Sequence, residues 1–227
     1  MFCGSSLRAR FAKPRYRTAN VPEILVREHF TYTAQDRLLT HTHKVDNNPT
    51  QVLAVNEYTE LGQLKSKQIG GQSTQPRLQK VDYTYNIRGW LTAINDIANL
   101  QQAGDPKDLF SFQLAYNNPQ TATPLFNGNI SETYWRTAGD NNIRKYGYAY
   151  DHLNRLTDAI YQRPLSSGQT HVTNSYNEKL TYDSNGNFKT LNRNGMLDNI
   201  NGSFIEIDNL SYTYMPNTNQ LASVYDQ

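Results

Sequence analysis

YNIRGWLT, residues 85–92, decides the fold, because its spacing returns along the chain. The same offsets recur in YDHLNRLTDAIY, residues 150–161, and in YDSNGNFKTLNR, residues 182–193. Aligned on the tyrosine, five segments share one register: Tyr32 to Leu38, Tyr58 to Leu64, Tyr85 to Leu91, Tyr150 to Leu156 and Tyr182 to Phe188. Four residues after each tyrosine stand Asp36, Gly62, Gly89, Asn154 and Gly186, residue types that tolerate a positive φ. One residue after it stand Thr33, Thr59, Asn86, Asp151 and Asp183, each with a short side-chain oxygen that can accept from the backbone two residues on.

Together these positions spell a type I turn closed by a left-handed residue and a bulge, the three-residue β-hairpin loop. The turn sets Tyr85 opposite Leu91 and Tyr150 opposite Leu156 as same-face cross-strand pairs. Tyr83 with Tyr85, Tyr148 with Tyr150, and Leu180 with Tyr182 alternate as half-buried strands do. A sixth copy runs from Tyr212 and Tyr214 through MPNTNQ to Leu221, with an extra residue and a proline, and predicts a longer loop. The stretch at about 97–145 loses the register. FSFQLAY (residues 110–116) and Asn127-Gly128 nevertheless predict one or two degenerate hairpins there. A short helix opening at Asp96 is one reading of IANLQQAG, although so few residues cannot hold a helix alone.

Successive tyrosines lie about 26 to 32 residues apart where the register holds, enough for two strands and their connections. One hairpin is marginal in water, so hairpins stacked side by side must share a core. The expected fold is therefore all-β, a tandem β-hairpin array over residues 21–227. Residues 1–20 are expected to be a basic tail, disordered or the remnant of a preceding repeat.

Composition narrows function. The 227 residues are 37% apolar, with 16 tyrosines against 8 phenylalanines and 2 tryptophans, so tyrosine must supply much of the core. A net charge of +2, with Lys and Arg dispersed, gives no reason to expect nucleic acid. No run is long and apolar enough for a membrane helix, and MFCGSSLRARFAKPRYR has no apolar segment of the secretory kind. Cys3 is the single cysteine, so no internal disulfide forms.

YDHLNRLTDAIY and YDSNGNFKTL resemble the YD repeats of Rhs proteins, and YNIRGWLTAIND resembles the form found in Bacteroidetes Rhs proteins. The resemblance implies hairpins wound into a curved or spiralling sheet, part of an Rhs-type β-shell that in bacteria can enclose a toxic C-terminal domain. It implies as partners the remaining repeats of a longer chain and an enclosed toxin domain, and a secreted or cell-surface setting. The repeat positions Tyr32, Asp36, Leu38, Tyr58, Gly62, Leu64, Tyr85, Gly89, Leu91, Tyr150, Asn154, Leu156, Tyr182, Gly186 and Phe188 would be structural. The core segment through which family members cut themselves is not found here. Val224-Tyr225-Asp226-Gln227 reads as the start of another repeat, so a segment of a longer shell is expected.

Chemistry is sparse. His41 and His43 share a strand face but bring no third or fourth zinc ligand, so they read as surface histidines. Asp183, Asn185 and Asn187 read as turn-stabilising rather than as a calcium loop. Asn129, Asn201 and Asn209 fit the glycosylation triplet, a match that an Asn-rich chain makes by chance. Asp140, Asp151 and Asp158 have no spacing that unites them. No nucleophile, phosphate-loop or cofactor motif occurs, so the expectation is a structural, non-catalytic chain with no cofactor and no metal. The alternative is a tyrosine-rich glycan-binding or adhesion module, with Trp90 and Trp135 as its markers.

Overall fold

The computed structural model describes residues 15–16, 24–164, 170–195 and 204–227. They are all-β, without a helix, and every strand pairing is antiparallel. The chain divides into two compact units, Met1–Ser111 and Phe112–Gln227. In the first unit β1 (Arg15–Tyr16), β2 (Ile24–Tyr32), β3 (Leu38–Val45), β4 (Gln51–Tyr58), β5 (Leu64–Ile69), β6 (Gln79–Tyr85) and β7 (Leu91–Ile94) pair in chain order. Strand β8 (Phe110–Ala115) runs across the unit boundary. In the second unit β9 (Glu132–Thr137), β10 (Arg144–Tyr150), β11 (Leu156–Pro164), β13 (Glu178–Tyr182), β14 (Phe188–Gly195), β15 (Ile205–Tyr214) and β16 (Leu221–Asp226) again pair in chain order, while β12 (Thr170–Val172) pairs with β11.

Each of the five repeats is a hairpin tip with one hydrogen-bonding pattern. The amide after the tyrosine donates to the carbonyl four residues on: Thr33 to Arg37, Thr59 to Gln63, Asn86 to Trp90, Asp151 to Arg155 and Asp183 to Asn187, all at 2.8–2.9 Å. The amide of the fourth residue donates back to the first, as in Gly89 to Asn86 at 2.9 Å and Asn154 to Asp151 at 2.9 Å. That fourth residue is left-handed every time, with φ of 59° at Asp36, 84° at Gly62, 80° at Gly89, 62° at Asn154 and 90° at Gly186. The side-chain oxygen ahead of the corner locks it from inside. Asn86 Oδ1 accepts from the amides of Arg88 (2.9 Å) and Trp90 (3.0 Å), and Asp151 Oδ1 accepts from Leu153 (2.9 Å) and Arg155 (3.0 Å).

A bulge at each tip then brings the tyrosine opposite the apolar residue six positions on. The pairs are Tyr32 with Leu38, Tyr58 with Leu64, Tyr85 with Leu91, Tyr150 with Leu156 and Tyr182 with Phe188. The sixth hairpin keeps the pairing, Tyr214 with Leu221, across a loop one residue longer, with Asn217 at φ 60°. Val52 and Ala54 on β4 form a buried pair in the first unit, and Ala115, Tyr116, Tyr134, Ala159 and Tyr161 are buried in the second.

Residues 97–104 depart from the helical reading. Asp96 does not cap a helix; its Oδ1 accepts from the amide of Ala98 at 2.8 Å in a tight turn. Residues 95–109 form a loop that buries Leu100 and closes with the Asp108 amide on the Leu100 carbonyl, 2.8 Å. Asn127-Gly128 sits in a wider loop than the two-residue hairpin its sequence suggests, and the chain closes behind it where the Ser131 amide donates to the Ala115 carbonyl, 2.8 Å. Cys3, Asn201 and most of residues 1–20 lie outside the described residues.

Candidate functional site

The repeat tyrosines do more than fill a face. Tyr58 Oη donates to the carbonyl of Leu38, Tyr85 Oη to Leu64 and Tyr182 Oη to Leu156, at 2.8, 3.0 and 2.7 Å. In each case the acceptor is the residue six positions after the preceding repeat tyrosine, so these three hairpins are each tied to the one before. Tyr150 Oη makes the same kind of bond to Ile130, 2.9 Å, in the stretch where the sequence register is lost.

The residue five positions after the tyrosine adds a second link between neighbouring tips. Gln63 Nε2 donates to the Gly89 carbonyl (3.0 Å), Arg155 Nη1 to the Asp183 carbonyl (3.0 Å) and Asn187 Nδ2 to Asn219 Oδ1 (2.9 Å). Arg155 also lies over the Tyr182 ring at 4.6 Å, and Arg37 over Tyr58 at 5.8 Å. Sequence reasoning missed both links. The available signal was tyrosine, and never phenylalanine, at all five positions, since only tyrosine can donate.

In the second unit, strand alternation separates two chemistries. One face carries Trp135 of β9, Arg144, Tyr146 and Tyr148 of β10 and Tyr161 of β11, with Trp135 opposite Arg144 and Tyr146 opposite Tyr161. Trp135 and Tyr146 stack at 5.6 Å and 19°, while Tyr161 meets Tyr146 (5.5 Å) and Tyr176 (5.1 Å) edge-on. Trp135, Arg144, Tyr146, Tyr161 and Tyr176 line a cleft of about 320 Å³. Tyr146 Oη donates to the Tyr176 carbonyl at 2.8 Å, and burial pushes its phenol pKa up. The cleft offers ring faces and a guanidinium held by Asp140, suited to a ligand with one apolar face and a hydroxylated edge.

The opposite face holds a fully buried ion pair, Glu132 with Lys145 Nζ at 2.6 Å. Glu132 also accepts from the amides of Gln120 (2.7 Å), Thr121 (2.8 Å) and Ala122 (2.9 Å) and from Tyr134 Oη (2.5 Å). Burial alone would raise its pKa, but Lys145, Tyr134 and the backbone donors hold it down at about 2. With its oxygens so engaged, this carboxylate fastens the 120–122 loop to the sheet and is not poised for acid or base work.

The remaining sequence candidates are engaged locally. His41 stacks on Phe30 at 4.2 Å and meets Glu28 at 3.3 Å, and among the described residues no three His, Cys, Asp or Glu side chains group to hold a metal ion. Asp183 spends Oδ1 on the amides of Asn185 and Asn187, both 2.9 Å, and Oδ2 on Asn187 Nδ2, 2.9 Å, so these three residues stabilise their turn. Asp140 pairs with Arg144 and Asp151 with Arg155, while Asp158 faces Lys179 across the strands. Trp90 lies under Arg88, 5.1 Å from the ring centre, at a turn in the first unit. Asn129 Nδ2 donates to Asn154 Oδ1 (3.4 Å), and Asn209 Oδ1 accepts from Asn192 (2.8 Å).

No protein-family model matches the chain, and no curated protein matches it. Among solved structures it is similar to the crystal structure of TcdB2-TccC3-Cdc42, at 12% identity and a TM-score of 0.30 over 84% of this chain and 12% of that one. A Photorhabdus luminescens Tc holotoxin pore with mutated TccC3 matches at 11% identity and a TM-score of 0.29, over 90% and 13% of the two chains. A porin-like protein from Bacteroides uniformis matches at 12% identity and a TM-score of 0.32, over 95% and 91%. The chain thus spans about an eighth of the length of the first two.

Proposed function

We propose that this chain is a non-catalytic wall segment of a YD-repeat shell, which encloses or presents a polypeptide such as a toxin domain in a secreted or cell-surface protein. The supporting observation is the tyrosine bond repeated from hairpin to hairpin: Tyr58 to Leu38, Tyr85 to Leu64 and Tyr182 to Leu156. A bond that ties each unit to its predecessor lets hairpins be added in series, as an extended wall requires. The test is protease protection on the full-length gene product. An enclosed segment resists cleavage in the parent and becomes cleavable when Tyr58, Tyr85 and Tyr182 are changed together to Phe. Equal cleavage in both proteins refutes enclosure.

The aromatic cleft supports a second reading, a glycan-contacting module. Trp135 and Tyr146 offer stacked faces, with Arg144 at the edge for hydroxyl groups. Titration with neutral oligosaccharides, followed by Trp fluorescence, checks it. Saturable quenching that Trp135→Leu abolishes supports this reading, and its absence removes it.

A further inference from the structure

Beside the β6 strand of the first unit lies a cleft of about 520 Å³ that neither reading above uses. Its wall carries Asp82, Asp96, Asp105 and Asp108 against a single cation, Lys80. Lys80 Nζ meets Asp105 at 2.9 Å and Asp82 at 3.3 Å, and Asp96 Oδ2 accepts from Gln102 at 3.2 Å. Asp108 is different. Its residue surface is only 6% exposed, yet it lines the cleft and its carboxylate oxygens open on it instead of being sealed inside. An acid with so little exposed surface beside other carboxylates is costly to keep ionised, and a cation brought from outside would relieve that cost.

We propose that this cleft binds a primary ammonium group, carried by a small polyamine or by the lysine side chain of another polypeptide. The acidic side chains are spread along the cleft and do not group to hold a metal ion, so a bare ion finds no coordination shell here. An ammonium donates three hydrogen bonds and tolerates such a spread. The volume lies within the range of small-molecule sites. The whole chain carries +2, so its overall charge does not draw cations and any attraction comes from this patch. Burial first, then repulsion from Asp82 and Asp105, pushes the Asp108 pKa up to about 6, with Lys80 opposing and Asp96 adding to the rise. Binding that requires ionised Asp108 therefore strengthens as pH rises through that value.

The experiment is calorimetric titration of the chain with spermidine, with an acetylated pentalysine peptide in a second arm and Mg²⁺ as a competitor. Spermidine affinity is expected to fall roughly 10-fold from about pH 7.5 to about pH 5, as Asp108 takes up its proton. Asp108→Asn loses about as much at the higher pH and flattens the pH dependence, while Glu60→Gln, outside the cleft, changes neither. Tighter binding of spermidine identifies a free polyamine as the source, and tighter binding of the peptide identifies a polypeptide. The proposal is overturned if neither probe binds, if Asp108→Asn binds as the parent does, if affinity is the same at both pH values, or if Mg²⁺ displaces spermidine at equal concentration.

Discussion

Replacing Tyr85 by Phe removes one oxygen and leaves the ring that faces Leu91 across the strands. What is lost is the 3.0 Å bond from Tyr85 Oη to the Leu64 carbonyl, and Tyr58→Phe likewise removes the 2.8 Å bond to Leu38. Both tyrosines are half-buried, so water can reach the freed carbonyls in part. The cost is that of an ordinary net hydrogen bond, about 1 kcal/mol each. The two bonds share no donor or acceptor atom, so the double variant should lose about 2 kcal/mol, less any coupling through Leu64, which faces Tyr58 and accepts from Tyr85. The assay is urea unfolding, read as the midpoint at unchanged slope, with Tyr225→Phe as control because Tyr225 is 67% exposed. Thermal melts should fall by about 2–4 °C per bond for a chain of this size. If Tyr58→Phe and Tyr85→Phe unfold where the Tyr225→Phe control does, the inter-hairpin bond contributes nothing and the serial coupling argued from it fails.

Further outcomes are expected at the turn glycines, at Glu132 and at Asp108. Gly89→Val and Gly186→Val should each destabilise by about 1–2 kcal/mol in thermal melts, since φ is 80° and 90° there. At Gly186 a Cβ would meet nothing within 4 Å, so only backbone strain acts, whereas at Gly62 it would strike the Arg37 guanidinium and Gly62→Ala should be rescued in part by Arg37→Ala. Glu132→Gln leaves Lys145 buried without its counter-charge and should cost about 3–5 kcal/mol in urea. Because the Glu132 pKa drops from 4.5 to about 2 on folding, its stabilisation is present above pH 4.5 and lost as pH falls through about 2, which an acid titration of the melting temperature reads. Asp108 acts with the opposite sign. Its pKa rises from 3.8 to about 6, so its contribution is full below pH 3.8 and lost as pH rises through about 6. Asp108→Asn should then melt above the parent at neutral pH, by about 1–3 kcal/mol in stability, with the difference vanishing near pH 4.

What could be read in the sequence was local. A short oxygen one residue after the tyrosine and a left-handed residue four after it specify the tip, and the fixed six-residue step specifies Tyr85 opposite Leu91, because turn geometry sets hairpin register. The same local logic misled at Asp96, where an acceptor before an apolar run suits a helix cap and a tight turn equally, and the buried Leu100 loop took the turn. The cleft around Trp135 and the acidic cleft around Asp108 were not legible. Their residues come from separate strands and loops, and no spacing within one segment joins Lys80 to Asp105 or Trp135 to Tyr176. The Glu132–Lys145 pair was hidden for the same reason, since its donors beyond Tyr134 come from residues 120–122, three backbone amides and the Thr121 hydroxyl, which no spacing ties to Glu132.

The inter-hairpin bond explains how the array survives its own irregular stretch. The donor must be a tyrosine, but the acceptor is a main-chain carbonyl, which every residue provides. A hairpin can therefore lose its turn sequence and still be gripped by the next one, provided its backbone passes the right place. Tyr150 is the case in point: the chain before it has no repeat tyrosine in register, yet Tyr150 Oη finds the Ile130 carbonyl at 2.9 Å. For the tyrosine bond, the demand on sequence thus falls on the donor's side only. Insertions such as the 117–130 loop fall on the accepting side, where they cost the junction nothing so long as a carbonyl is presented. The same asymmetry makes tyrosine, not the turn glycine, the residue whose loss should uncouple neighbouring hairpins while leaving each tip intact.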